Sequence, residues 1–320
     1  MNTALTPGDR IWFPGEGGIA FISQSGALGL LVMDSITESG TGISGFVNIG
    51  NRVDVNEEEL MEMFLKDEKT KSIVMYLESI ADGERFYEAL KRINRVKPVV
   101  VLKTGRSKEA SLAASFHTGA MASDDRVLEG VLQQAGVCRA YNEVELLDYG
   151  KVLAYSKPPE GNRIAIITTA GGVGVVTTDL LTSSSDAPSM TMARFAPEEI
   201  SELRKHVLPI ASVANPIDLT ADGSTEAYEA ILEVLAESGN VDGIIAYALP
   251  QTPKIDLSIV EPLKKAARTK STVVGVIGNR LAKDLIRELE KLKIPAYPSI
   301  ERTVMAMKAL YSYGRYQRRL

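Results

Sequence analysis

One strand–turn–helix pattern occurs twice in this chain, at a fixed spacing. GIAFISQSGALGLLVMD (Gly18–Asp34) lies over RIAIITTAGGVGVVTTD (Arg163–Asp179). Ile19, Ala20, Ile22, Gly26, Gly29 and Asp34 fall on Ile164, Ala165, Ile167, Gly171, Gly174 and Asp179, each pair 145 residues apart. Glycine-rich turns after a strand are common, so shared glycines alone would mean little. Shared spacing followed by the same order of elements reads as internal duplication. Short apolar runs that alternate with helical patterns form parallel strands joined by right-handed crossovers.

The rest of each half fits that pattern. In the first half, strands are predicted at Gly18–Ser23, Gly42–Gly50, Ser72–Ser79, Pro98–Gly105 and Val137–Tyr141. Helices are predicted at Ala27–Gly40, Asn56–Asp67, Asp82–Arg95 and Arg126–Gly136, with a last one from Glu143. Asn56 followed by three glutamates, with Lys66 near the end, complements a helix dipole. KPPEGN (Lys157–Asn162) reads as a linker. The strand pattern restarts at Arg163–Thr168, with later strands at Gly243–Pro250, Ser271–Gly278 and, at an edge, Ile294–Ile300. The expected fold is α/β with mostly parallel sheets, in a domain at 1–156, a linker at 157–162 and a second domain at 163–320. A length of 320 residues, 45% of them hydrophobic, suits two cores.

Composition excludes several function classes. A net charge of −5 gives no basic surface for nucleic acid. The one cysteine, Cys138, cannot pair internally and reads as a small core residue, so a reducing cytoplasm is expected. No Cys/His cluster offers a metal site, and no apolar run is long enough to span a bilayer.

The chemistry is expected at two turns and one loop. SQSGALG (Ser23–Gly29) and TTAGGVG (Thr168–Gly174) each open a helix. A helix start has unpaired N–H groups and partial positive charge, a combination that binds phosphate. Candidate phosphate-binding residues are Ser23, Ser25 and Gly26, with Thr169, Gly171 and Gly172 in the second half. The hydroxyl of Thr168 is a further candidate donor. Neither turn is a P-loop or a clean dinucleotide fingerprint. His117 sits in KEASLAASFHTGAMASDD, among Ser, Ala, Gly and Thr. An imidazole can take a phosphoryl group covalently if it is accessible, oriented and near an anion site. Glu78, at a strand's carboxyl end, is the candidate orienter, since ligands of open parallel sheets bind at that rim. From the residues alone, an ordinary exposed loop histidine fits as well.

SFHTGAMAS resembles the phosphohistidine loop of ADP-forming (NDP-forming) acyl-CoA synthetases, relatives of succinyl-CoA synthetase. ISQSGALG, the LES at Leu77–Ser79, TTAGGVG and ANPIDLTADGS (Ala214–Ser224) resemble other segments of that family. Phe116 before His117, and Ser123, depart from its usual loop. The resemblance implies two tandem flavodoxin-like αβα domains, with CoA-binding and ATP-grasp domains expected from partners. It implies acyl-CoA + ADP + phosphate giving acid + CoA + ATP, with His117 as phosphoryl carrier, Glu78 holding it and Gly119, in the same loop, binding phosphate. CoA, ADP/ATP, phosphate and Mg are then substrates or ions held mainly by partner domains, with no tightly bound cofactor, and oligomers are expected. The competing reading is a phosphate-binding or regulatory scaffold that has lost catalysis. His206 reads as a surface histidine, and Asp218 as a cap for its loop.

Overall fold

The computed structural model describes residues 13–110, 124–183 and 189–320. The chain divides into two compact units, Met1–Ala154 and Tyr155–Leu320.

The first unit is a five-stranded parallel sheet between two layers of helices. Its strands are β1 (Glu16–Ser23), β2 (Ile43–Asn48), β3 (Ser72–Leu77), β4 (Val99–Lys103) and β5 (Cys138–Ala140), in the order β2-β1-β3-β4-β5. Its helices are α1 (Gly26–Ser39), α2 (Glu57–Lys66), α3 (Gly83–Ile93), α4 (Asp125–Gln134) and α5 (Glu143–Tyr155). Successive strand residues face opposite sides of a sheet. Ala20, Ile22, Ile73, Met75, Val99 and Val101 pack on one side against Leu60 and Phe64 of α2, Phe86 and Leu90 of α3, and Leu128 of α4. Val74 faces the other side, where α5 lies so close that a Cβ on Gly150 would stand 2.5 Å from Val74 Cγ1. Helix α1 ends on Gly40 in the left-handed conformation (φ 82°), as a glycine stop should.

The second unit repeats the topology. Its strands are β6 (Arg163–Thr168), β7 (Thr191–Met192), β8 (Ile217–Asp218), β9 (Gly243–Ala248), β10 (Ser271–Val276) and β11 (Ala296–Tyr297), in the order β11-β10-β9-β6-β7, with β8 also paired to β6. Its helices are α6 (Gly171–Thr182), α7 (Pro197–Lys205), α8 (Thr225–Glu237), α9 (Val260–Thr269), α10 (Arg280–Lys291) and α11 (Ile300–Gln317). Read from the other edge, this is the order of the first unit.

The differences from the expected elements are local. Strand β1 starts at Glu16, two residues before the expected Gly18. Helix α6 starts at Gly171, so the glycines expected in a turn form its first turn. Strands β7 and β8 were not foreseen. Together they do what β2 does alone. Ser23 pairs with Asn48, and Thr168 with Asp218. Ser23 O accepts from Ile49 N, and Thr168 O from Leu219 N, both at 2.9 Å.

The side chain of Asn215 bridges the gap between β7 and β8. Its Nδ2 donates to Ile164 O at 2.8 Å and Ala193 O at 3.0 Å, and its Oδ1 accepts from Ile166 N at 3.0 Å. Partly buried main-chain groups left without partners cost free energy. Asn215→Ala is expected to lower the stability of the second unit by about 2 kcal/mol, measured by urea unfolding.

Candidate functional site

In both units the turn after the first strand is built by one hydroxyl. Ser23 is fully buried; its Oγ accepts from Ser25 N at 3.1 Å and donates to Ser25 O at 2.7 Å. Thr168, also fully buried, accepts from Ala170 N at 3.1 Å and donates to Ala170 O at 3.3 Å. The strand's last side chain thus folds the chain into the helix start. It also commits both hydroxyls to the turn, so Ser23 and Thr168 shape the candidate anion sites from beneath.

The helix starts differ in chemistry. Ser25 caps α1, its Oγ accepting from Leu28 N at 3.3 Å. No side chain caps α6, where Ala170 takes the corresponding position. A Cβ on Gly26 would stand 3.0 Å from Asn48 Nδ2; on Gly171 it would stand 2.9 Å from Asp218 Oδ2. The register-equivalent neighbours are therefore an amide beside α1 and a carboxylate beside α6. A carboxylate at a helix start already uses part of the dipole's positive end. Asp218 also accepts from Thr220 N at 2.9 Å, the loop-capping role its sequence suggested. Gly171 and Gly172 are exposed. Thr169 is buried, and its Oγ1 has no hydrogen-bond partner among the described residues.

Glu78 directly follows β3 at the sheet's carboxyl rim, half-buried. Tyr76 Oη lies 3.4 Å from Glu78 Oε1, and burial pushes this phenol above its ordinary range, so it remains a donor. The main chain at Glu78 is held by a group the sequence reading missed. Gln24 Oε1 accepts from Glu78 N at 2.6 Å and Ser79 N at 3.0 Å, and Gln24 Nε2 donates to Ser79 O at 3.0 Å and to Glu57 Oε1. Arg52 donates to Glu57 Oε1 at 2.8 Å, Ser79 O at 2.9 Å and Ser79 Oγ at 2.5 Å.

Lys103, the last residue of β4, is a second missed charge on this rim. It is 95% buried (5% exposed), and its Nζ donates to Thr104 O at 2.5 Å. Burial pulls its ammonium below the usual lysine range, against the pull of Asp125 and, more weakly, Glu78.

His117 and Gly119 lie outside the described residues. His206 is partly exposed beside Glu202, 3.2 Å away, as a surface histidine should be. Burial pushes the Cys138 thiol up to about 12, the behaviour of an inert core residue. Among the described residues, no group of three or more His, Cys, Asp or Glu could hold a metal ion. No helix among them is long and apolar enough to cross a membrane.

The unpaired hydroxyl of Thr169 gives a test. Thr169→Val removes a buried polar atom with little change of shape. It is expected to leave unfolding stability unchanged or to raise it by about 1 kcal/mol, while weakening any stabilisation by added phosphate in a thermal-shift titration.

Residues 16–153 match the succinyl-CoA ligase like flavodoxin domain, and residues 164–320 match the ligase-CoA domain. Subunit alpha of the ADP-forming acetate–CoA ligase I of Pyrococcus furiosus is 35% identical over 99% of this chain and 68% of its own length. The ADP-forming acetate–CoA ligase of Methanocaldococcus jannaschii is 34% identical over 94% of this chain and 43% of its own length. A solved structure, the dinucleotide forming acetyl-coenzyme A synthetase 1 of Ca. Korarchaeum cryptofilum in complex with phosphate and ADP, superposes with a TM-score of 0.86. It is 34% identical and covers 95% of this chain and 66% of its own. The chain thus spans between 43% and 68% of the length of these proteins. It belongs to the ADP-forming acetate–CoA ligase family of acyl-CoA synthetases, through its succinyl-CoA ligase-like flavodoxin domain and the ligase-CoA domain that follows.

Proposed function

We propose that the chain is the phosphoryl-carrying part of an ADP-forming acyl-CoA synthetase. The reaction is acyl-CoA + ADP + phosphate giving acid + CoA + ATP. A phosphate oxygen attacks the thioester carbonyl, CoA leaves as thiolate, and an acyl phosphate forms. A ring nitrogen of His117 then attacks phosphorus and the carboxylate leaves. ADP next attacks the phosphohistidine through a terminal phosphate oxygen, giving ATP and restoring the imidazole.

The observation that carries this reading is the pinned position of Glu78 on the rim that also bears the start of α1. A carboxylate fixed by its own main chain can hold an imidazole and stabilise the cation that forms as nitrogen attacks phosphorus. Ser25 and Gly26, at the start of α1, offer N–H groups to phosphoryl oxygens. Thr169, Gly171 and Gly172 form a second phosphate position at the start of α6, with Asp218 limiting the negative charge it accepts. Gly119, in the same segment as His117, is assigned to the phosphate-binding set. CoA, nucleotide and Mg are assigned to CoA-binding and ATP-grasp partners, which the longer relatives leave room for. The acyl group is carried by the substrate and left open.

The test is direct. The chain is combined with an ATP-grasp partner, γ-labelled ATP and magnesium, then isolated at alkaline pH. Base-stable, acid-labile label is expected on the wild type and none on His117→Ala. Glu78→Gln is expected to slow labelling by about 10²-fold or more. An unlabelled wild type beside a partner shown to bind ATP would overturn the carrier role and leave a scaffold.

A further inference from the structure

We infer that Gln24, braced by the buried Arg52–Glu57 ion pair, is the positioning residue that sets Glu78 for phosphoryl transfer; this rests on the phosphoryl-carrier reading above. Strand β1 ends at Ser23 and β3 at Leu77. Beyond those points the two main chains cannot continue their ladder, because Ser25 already turns into α1. The Gln24 amide takes over. Its main-chain N–H still pairs with Tyr76 O at 3.1 Å, while its side-chain oxygen takes the next two N–H groups, of Glu78 and Ser79. One residue therefore fixes Glu78 against the start of α1, since Gln24 directly precedes the N-cap Ser25.

Only an amide fits this position, which needs an acceptor for two N–H groups and a donor for a carbonyl and a carboxylate. The clamp is closed on every side. Ser79 gives its N–H to Gln24, and its carbonyl accepts from both Gln24 and Arg52. Glu57 is buried at the first position of α2, where the dipole favours a carboxylate, and receives both Gln24 and Arg52. The ion pair's side chains are 13% and 2% exposed. Burying two charges is a poor route to stability but a strong constraint on geometry when each is fully hydrogen-bonded. Arg52 takes this role from a left-handed backbone conformation (φ 58°), which costs a non-glycine residue free energy.

The duplication supplies an internal comparison. The residue 145 positions after Gln24 is Thr169, whose hydroxyl has no partner among the described residues. The clamp thus belongs to the unit whose chain carries Glu78 and His117, and the shared fold forms in the other unit without it.

The experiment measures the initial rate of phosphohistidine formation in the chain with its ATP-grasp partner, from γ-labelled ATP. Wild type, Gln24→Ala, Glu78→Gln, the double variant and Arg52→Lys are compared, each with its melting temperature. Gln24→Ala is expected to slow labelling by about tenfold or more, with the KM for ATP unchanged. The double variant is expected to be no slower than Glu78→Gln alone, to within about twofold, because Gln24 acts through Glu78. Arg52→Lys keeps the charge beside Glu57 but cannot span both Ser79 oxygens; it is expected to melt near the wild type and to label about three- to tenfold more slowly. If Gln24→Ala does not fold, Arg52→Lys and its double variant with Glu78→Gln make the same comparison. Losses that multiply in the double variant, or a Gln24→Ala rate equal to wild type, would overturn the assignment and leave the carrier reading intact. An unlabelled wild type would instead bring down that reading, and the assignment with it.

Discussion

Parallel strands that stop at different heights leave main-chain donors and acceptors with nothing to bond, and the rim of this protein is shaped by how they are satisfied. Side chains do the work at each such place. The hydroxyls of Ser23 and Thr168 close the turns after β1 and β6. The Asn215 amide stands in for missing strand between β7 and β8. The Gln24 amide extends the β1–β3 ladder past its last residue. These substitutions are local, but they decide where each helix start and each rim residue sits. A carboxylate one residue beyond a strand would otherwise have a main chain free to choose among several turns.

The two units show what duplication preserves and what it releases. Strand order, the register of Ser23 with Asn48 and of Thr168 with Asp218, and the buried hydroxyl under each turn are shared. Glycine is kept at Gly29 and Gly174 for a packing reason: a Cβ would stand 2.6 Å from Phe46 Cζ in one and 2.9 Å from Pro216 Cβ in the other. The rim chemistry has diverged on this common frame. Ser25 caps α1 and Ala170 leaves α6 uncapped. Asn48 faces Gly26, whereas Asp218 faces Gly171. Of the two proposed phosphate positions, the start of α1 is therefore the better suited to full negative charge. The start of α6 suits a ligand that brings a hydrogen-bond donor or less negative charge.

Much of this was legible in the sequence, and the rest has identifiable reasons. Runs such as IVMYL and PVVVL are apolar throughout, so buried strands were readable, and the offset of 145 residues exposed the repeat. Strands β7 and β8 have two residues each, too short for any periodicity. Ser23 was read as a ligand-facing hydroxyl; nothing local distinguishes that from a hydroxyl turned back on its own turn. The Gln24 clamp joins residues 33 and 55 positions apart through polar side chains, so no hydrophobic pattern reports it. Glu57 reads from sequence as one of three first-turn glutamates, and only the fold shows it buried with Arg52. Lys103 closes an otherwise apolar strand, and nothing in that pattern distinguishes a buried lysine from a solvated strand end.

In the proposed transfer, the rim rather than the segment around His117 supplies the geometry. Apart from Phe116 and Met121, the residues around His117 are Ser, Ala, Gly and Thr, whose side chains have little bulk to pack and few groups to orient a ring. A transfer that depends on about half an ångström of alignment cannot draw that precision from such a segment. It has to come from what the ring meets. Glu78 is suited to supply it because the degrees of freedom below its Cα are already removed, by Gln24 from one side and by the β3 ladder from the other. The entropy of ordering is met at folding, by a buried network, rather than at each turnover. In the proposed transfer, the geometry of the reaction then stays with the sheet.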